Sequence, residues 1–288
     1  MTIESGSPYV PSQKRLAREK ERRRATRRSA YLAATSTVVF SLILIFAITS
    51  APGWPRVQAS FFDLTIARES IPFVLEGLWL NIRVMAISAV AIMIVGTALA
   101  LARTSKSPIL FPVRALAATY TDIFRGLPLL LVILLLGLGV PGLRLEGVPN
   151  SVVFLGGLAL VFTYSAYVAE VLRAGIESIH PTQRMAARAL GLSQFQTLRY
   201  VVMPQAIRRV TPPLLNDLVS LQKDSGLISV LGAIDAIKAA QILTARDFNF
   251  TPYLVAGVVF VLLTIPLTRV TDYLAKRVEK RRAIGGGV

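Results

Sequence analysis

The stretch Ala30–Ser50, AYLAATSTVVFSLILIFAITS, carries no charged residue over 21 positions. A helix needs about 20 such residues to cross roughly 30 Å of hydrocarbon. The same pattern recurs at Val84–Ala102, Leu127–Gly142, Val152–Ala169 and Thr251–Thr268. The 53% apolar content of the 288 residues is only suggestive beside a soluble average of about 45–50%. The distribution in long uncharged blocks points to an all-α integral membrane protein. Ala30–Ser50 also exceeds the roughly 7–15-residue apolar core of a signal peptide and reads as a transmembrane helix. With no cysteine, the chain has neither a disulfide framework nor a thiolate metal site.

A net charge of +16 would suit nucleic acid if it lay on one surface. Here it alternates along the chain. Met1–Ser29, Arg103–Arg114, Arg173–Arg209 and Arg269–Val288 carry +6, +3, +5 and +4, and the intervening loops Ala51–Glu76, Leu143–Asn150 and Ala233–Phe250 carry −1, 0 and 0. Basic loops on every second side are the mark of positive-inside topology. The expected partner is membrane lipid, not nucleic acid.

Six spans follow, with both termini in the cytoplasm. Residues 1–29 form a basic tail, expected to be disordered or to lie along anionic lipid. Ala30–Ser50 is the first span, and Ala51–Pro55 its exit turn. Phe61–Phe73 reads as a surface helix leading into a second span that begins near Gly77–Asn81. Phe111–Val140 would be about 45 Å long as one helix. Arg125–Gly126–Leu127–Pro128 breaks it into a short helix and a third span. Ser151–Val171, Pro212–Leu231 and Thr251–Tyr273 complete the set, and residues 278–288 are a second basic tail.

The loop between the fourth and fifth spans, 173–203, is the most informative segment. Pro181 suits the first position of a short helix. Gly191 ends that helix, where positive φ is required. Ser193 and Gln196 have the spacing of a capping box opening a second helix, which Pro204 is expected to stop. The product is a cytosolic helix–Gly–helix hairpin, with small residues Ala186, Ala187 and Ala189 along its first arm.

The run AEVLRAGI at 169–176, with Ser178–Ile179, Gln183, Ala186–Ala187–Arg188–Ala189–Leu190–Gly191–Leu192–Ser193, Pro204–Gln205–Ala206 and Leu221–Gln222–Lys223–Asp224–Ser225, resembles the transmembrane subunits of ABC importers of the polar amino-acid branch. Tyr120 and Phe124–Arg125–Gly126–Leu127–Pro128 match another signature of that branch. The resemblance covers residues 77–277. It implies the type I importer permease core over the last five spans, with the first span as an addition. It also implies that Ala186, Ala187, Arg188, Leu190, Gly191, Leu192 and Ser193 couple to a pair of separate ATP-binding subunits, which carry ATP and magnesium. A second permease copy or homologue, an extracytoplasmic substrate-binding protein and a polar amino-acid substrate are implied with them, in a bacterial inner membrane. Two positions depart from the family: Met185 stands where Glu is usual, and Gly226 where Ser is frequent.

No G-x-x-x-x-G-K-[ST] pattern occurs, so no phosphate cradle and no resident cofactor are expected. The single histidine, His180, has no ligand partners at metal spacing and reads as a solvated helix cap. A catalytic triad is excluded on the same ground. One dense polar set lies inside a span: Asn216, Asp217, Ser220, Lys223 and Asp224, at helical spacing on one face. Counted from Pro212, Lys223 falls about 16 Å along the axis, near the hydrocarbon centre. A charge there costs at least ~2.5–3.5 kcal/mol unless it meets a partner or a wet cavity. The stripe therefore either lines a substrate path or locks helices through a Lys223–Asp224–Asp217 network. Arg125 is expected to pair with Asp122. A self-sufficient secondary transporter or channel using the stripe as a proton relay is the alternative to an ATP-driven importer; no inverted repeat supports it.

Overall fold

The computed structural model describes residues 13–105 and 107–285, and every regular element among them is helical. The chain divides into two units at Ala59–Ser60. The expectations for residues 1–12 and 286–288, parts of the two basic tails, lie outside the described residues. The first unit holds α1, Gln13–Thr49, a single helix that joins the basic segment to the first apolar stretch. The described part of the N-terminal tail is thus helical, not disordered, as its Lys, Arg, Glu and Ala content favours.

A short helix, α2 (Trp54–Phe61), leads into α3 (Leu64–Thr104), 41 residues and about 61 Å long. The surface helix expected at Phe61–Phe73 does not exist as a separate element. Asp63 caps α3, its Oδ1 accepting from the N–H groups of Thr65 (2.8 Å) and Ile66 (3.1 Å). No further break follows, because Ser70, Val74, Leu78, Asn81, Val84, Ser88 and Ile92 form one buried stripe across Pro72 and Gly77. Phe61 stacks on Phe250 with centroids 5.1 Å apart, and the Asp63 N–H donates to Thr251 Oγ1, which joins the start of α3 to the start of the last helix.

The break at Arg125–Pro128 is present. Helix α4 (Phe111–Gly126) turns through 106° into Leu129–Gly142, which comprises α5 (Leu129–Leu134), a π-helical turn at Leu135–Gly139 and α6 (Val140–Gly142). That second piece is only about 21 Å long, so it crosses no bilayer alone. Helix α7 (Val152–Glu177), capped by Ser151, is the most enclosed element, with Leu155, Ala159, Leu160, Ala166 and Ala169 fully or almost fully buried.

The hairpin follows: α8 (Pro181–Ala189) and α9 (Gln194–Gln196). Pro204 does not end the second arm. A π-helical stretch at Thr197–Val202 carries the chain directly into α10 (Met203–Asp224), which absorbs Pro204, Pro212 and Pro213. Pro204 sits in the first turn of α10, where a missing N–H is cheapest. The helix expected to begin at Pro212 therefore begins at Met203. It changes at Asp224 into a 3₁₀ segment, Ser225–Leu231. The expected external loop 233–250 contains a helix, α11 (Ala236–Asp247), set at 47° to the preceding one. Helix α12 (Thr251–Gly285) closes the described chain. Four helices are long and apolar enough to span a membrane, or six if each bent pair counts as one span.

Helix α11 is held against α3 by a fully buried polar contact. Asn81 Nδ2 donates to Asp235 Oδ2 (3.0 Å), and Asn81 Oδ1 accepts the Ala236 N–H (3.1 Å). Asp235 also caps α11, accepting the Lys238 N–H at 2.8 Å. The approach is so close that a Cβ at Gly77 would lie 2.4 Å from the Asp235 carbonyl carbon. Asn81→Leu leaves Asp235 Oδ2 without its side-chain donor and the Ala236 N–H without its acceptor, while Asp235 Oδ1 keeps the Lys238 N–H; each loss costs about 1–3 kcal/mol. A clear fall in the thermal unfolding midpoint of the purified protein is expected, and Asn81→Asp, which sets a second carboxylate against Asp235, should not restore it.

Candidate functional site

The polar stripe of α10 separates into two parts. Asp217 lines a groove of about 570 Å³ between α3, α7 and α10, whose walls include Ala89, Ile92, Met93, Tyr164, Val168 and Leu221. Its Oδ2 is buried and has no hydrogen-bond partner among the described residues. Asp224, two turns on, accepts a hydrogen bond from the Tyr164 hydroxyl at 2.6 Å. Tyr164 therefore stands between both carboxylates, lining the groove of one and holding the other. Asn216 and Lys223 point elsewhere and are exposed, while Ser220 is half-buried. Among the described residues no ion pair joins Lys223 to Asp224 or Asp217, so the expected interlocking network is absent. The physical reason is angular. Asn216 and Lys223 lie on one flank of the stripe, about 100° or more from Asp217, and only the Asp217–Asp224 flank faces α7.

Gln222 is a polar residue of this region that spacing did not reveal. It is buried on the opposite side of α10, where its Oε1 accepts from Thr264 Oγ1 at 2.7 Å. Tyr120 adds a similar tie between α4 and α7: its hydroxyl meets the Phe162 carbonyl and Ser165 Oγ, each at 2.9 Å.

A second missed residue is Glu170. Its carboxylate receives Arg103 from the end of α3 (2.8 Å), Arg173 one turn along α7 (2.6 Å) and Arg125 from the last turn of α4 (3.8 Å). Arg125 does not pair with Asp122; α4 packs beside α7, and the guanidinium meets Glu170 there. Glu170 thus joins three helices beside the break in the third span. Its signal was present in the run AEVLRAGI, but partners 45 and 67 residues away carry no local spacing.

The hairpin is built as its residues imply. His180 is the exposed N-cap of α8, with Nδ1 accepting the Thr182 N–H at 3.3 Å. Gly191 adopts φ +83°. Ser193 and Gln196 form the reciprocal capping box, at 3.2 and 2.8 Å. Ala187 is buried beneath; Ala186, Arg188, Leu190, Gly191 and Ser193 are exposed and Leu192 is half-buried, so most of the coupling set shares the outer surface. Among the described residues no group of His, Asp or Glu is arranged to hold a metal ion.

Apolar helices, two of them broken, around a groove with carboxylates and with a rigid polar hairpin at one end, define a multi-pass membrane protein. Residues 107–280 match the family described as binding-protein-dependent transport system inner membrane component, and the chain belongs to that family. It is 32% identical to the arginine transport system permease protein ArtQ of Bacillus subtilis over 76% of this chain and 96% of that one. It is 33% identical to a putative glutamine transport system permease protein, GlnP, of Rickettsia conorii, over 74% and 94%. Among solved structures, a chain of an amino acid ABC transporter crystallised with histidines superposes with a TM-score of 0.69 at 29% identity, covering 75% of this chain and 98% of that one.

The Glu170 cluster generates a graded expectation. Glu170→Gln should destabilise the protein by about 1–2 kcal/mol, since three guanidinium groups lose one partly exposed carboxylate. Arg103→Gln should cost less, and Arg125→Gln least, because its contact is longest and most exposed. Thermal unfolding of the three variants in one detergent tests the order.

Proposed function

We propose that this chain is the translocation subunit of an ATP-driven importer for a polar amino acid. It works by alternating access in a bacterial inner membrane, with both termini cytoplasmic. The observation that carries the substrate class is Asp217 in a groove walled mostly by apolar side chains, with Tyr164 in the same wall and hydrogen-bonded to Asp224. A carboxylate that lacks a partner inside a membrane segment calls for a cation. The α-ammonium group, or a cationic side chain, supplies one. The relatives named for arginine and glutamine support the same class.

Hydrolysis is assigned to two separate ATP-binding subunits, which hold ATP and magnesium and dock on hairpin 181–203. The exposed Arg188, Leu190, Gly191 and Ser193 meet them, and Ala186 and Leu192 shape the approach. A second permease copy or homologue covers the flank of α10 that carries Asn216, Ser220 and Lys223, so that the two polar faces enclose a shared path. An extracytoplasmic binding protein delivers the substrate. The additional helix α1 has a basic segment placed for anionic lipid.

Reconstitution in proteoliposomes with the ATP-binding and substrate-binding subunits tests this. Uptake should require ATP on the cytoplasmic-facing side, and Asp217→Asn should reduce it at least about tenfold, the loss of one charge-assisted contact. Assembly with the ATPase should be unchanged. ATP-independent uptake driven by a proton gradient would establish the secondary-transporter alternative instead. Undiminished uptake in Asp217→Asn would remove this carboxylate from the path.

Gly191→Val tests the coupling role separately. A β-branched residue resists the positive φ found there. The turn should distort, and substrate-stimulated ATP hydrolysis should fall while insertion into the membrane is kept.

A further inference from the structure

A cavity of about 950 Å³ lies between the C-terminal end of α3 and the hairpin, and it shares no residue with the carboxylate groove. Its polar wall includes Ser105 and Ser107 from the turn after α3, with Arg184, Arg188 and Thr197 from the hairpin segment. Leu101, Phe195 and Leu198 stand on its apolar side. One acid, Glu177, is among the lining residues, and its carboxylate is already held by Arg173. The two arginines of the wall are therefore not neutralised within it.

Two polar atoms of these lining residues are buried without a partner among the described residues: Arg184 Nε and Thr197 Oγ1. Thr197 as a whole is only 5% exposed. A buried donor without an acceptor is destabilising, and two of them beside one cavity call for an acceptor that the cavity receives. The neighbouring groups are donors too. Arg184 Nη2 donates to the Ile176 carbonyl (2.6 Å) and Arg188 Nη1 to the Leu192 carbonyl (2.9 Å), which orients both guanidinium groups and leaves each with further N–H groups. Ser105 Oγ accepts the Ser107 N–H at 3.4 Å, so its own proton remains to be given. Arg114 Nη1 donates to the Ser105 carbonyl at 3.0 Å and adds a third guanidinium beside this turn. Guanidinium and hydroxyl donors around one space, with the one acid already paired, select an anion with several oxygens, and phosphate fits such a set well.

We propose that this cavity holds the phosphate of an anionic phospholipid, whose acyl chains leave past Leu101 and Phe195. A soluble phosphate offers the same oxygens, but depth and the apolar side favour the lipid. Thr104 is the last residue of a long membrane helix, and the segment Arg103–Arg114 around it carries +3, the charge that positive-inside topology places at the cytoplasmic headgroups. Leu101 is 49% exposed and Phe195 67%, an apolar flank that a soluble anion would leave unused. Basic pockets at the cytoplasmic ends of spans have the composition that receives such headgroups. The lipid ties the hairpin to the end of α3. The inference rests on the cytoplasmic placement of that end and on no reading of what the hairpin docks against.

The test compares unfolding midpoints of the full-length chain in nanodiscs of phosphatidylcholine alone and with phosphatidylglycerol added. Phosphatidylglycerol should raise the wild-type midpoint, since a ligand of the native state stabilises it. The rise should shrink by about half or more in Arg184→Gln and in Thr197→Val, each of which removes one donor. In phosphatidylcholine alone, Thr197→Val should unfold at the wild-type midpoint or above it, because a methyl replaces an unpaired hydroxyl. That reversal separates a lost ligand from a damaged fold. Equal rises in wild type and both variants would overturn the proposal, and their loss in Arg24→Gln combined with Arg27→Gln would move the lipid effect to α1. Inorganic phosphate that reproduces the rise in phosphatidylcholine discs, and fails to do so in the same two variants, would assign the site to a soluble anion and refute the lipid. A difference between wild type and Thr197→Val that emerges only once the cognate ATP-binding subunit is added would mean that a protein carboxylate fills the cavity, and would equally refute it.

Discussion

Inside hydrocarbon no water is present to satisfy a backbone amide or carbonyl, and each one left alone costs several kcal/mol. Every departure of this chain from α-helix has to answer that constraint, and the architecture can be read from the answers. At the bend after Gly126 the Leu127 N–H still reaches the Ile123 carbonyl, and Pro128 has no N–H to satisfy. Its carbonyl then accepts from Leu131 and Val132, which restarts the helix. Where α11 begins, the buried N-terminus of the helix is closed by two side chains, Asp235 from its own turn and Asn81 from α3. Broken helices are tolerated here because other helices are packed close enough to supply the missing partners.

Close packing in turn depends on small residues and on polar contacts between helices. The cluster around Val74, Ala236, Ala239, Ala240 and Ala256 is dominated by alanine, which lets α3, α11 and α12 approach. The larger cluster around Ile92, Leu160, Val168, Leu221 and Ile228 joins α3, α7 and α10, and its Ile92, Val168 and Leu221 line the carboxylate groove. Glu170 works at the other end of α7, holding the ends of α3 and α4. Movement of the hairpin at the end of α7 would therefore reach the bend in the third span through one carboxylate. The proposed coupling and the proposed substrate groove share α7 and α10, one feeding into the other without an intervening flexible loop.

Much of this was legible in the linear sequence because it depends on neighbours within a few residues. Length of apolar runs, the break at Arg125–Pro128, the Gly191 turn and the Ser193–Gln196 capping box are local, and each appears where its residues imply. The family follows from the same runs, since the motif residues stand at fixed spacing in one segment. Local rules also misled where they met a longer-range effect. Pro204 and Pro212 are poor helix residues in isolation, yet a π-helical stretch and packing against α7 carry α10 through both. Residues 233–250 lack an uncharged block, and α11 forms there because α3 and α12 bury its alanine face.

The sequence by itself determined that this is a multi-pass helical membrane protein of the binding-protein-dependent transport family, with a capped hairpin and a polar stripe on its penultimate long helix. Periodicity and capping are properties of a single segment, so they need no knowledge of what lies alongside. Only the tertiary structure decided which members of the stripe converge: Asp217 and Asp224 turn to Tyr164, while Lys223 and Asn216 turn away. It likewise decided that Arg125 meets Glu170 rather than Asp122, and that Asn81 completes the cap of α11. These contacts join residues 45 to 155 positions apart, and a charge or an amide in one helix carries no record of the partner that a second helix will present to it.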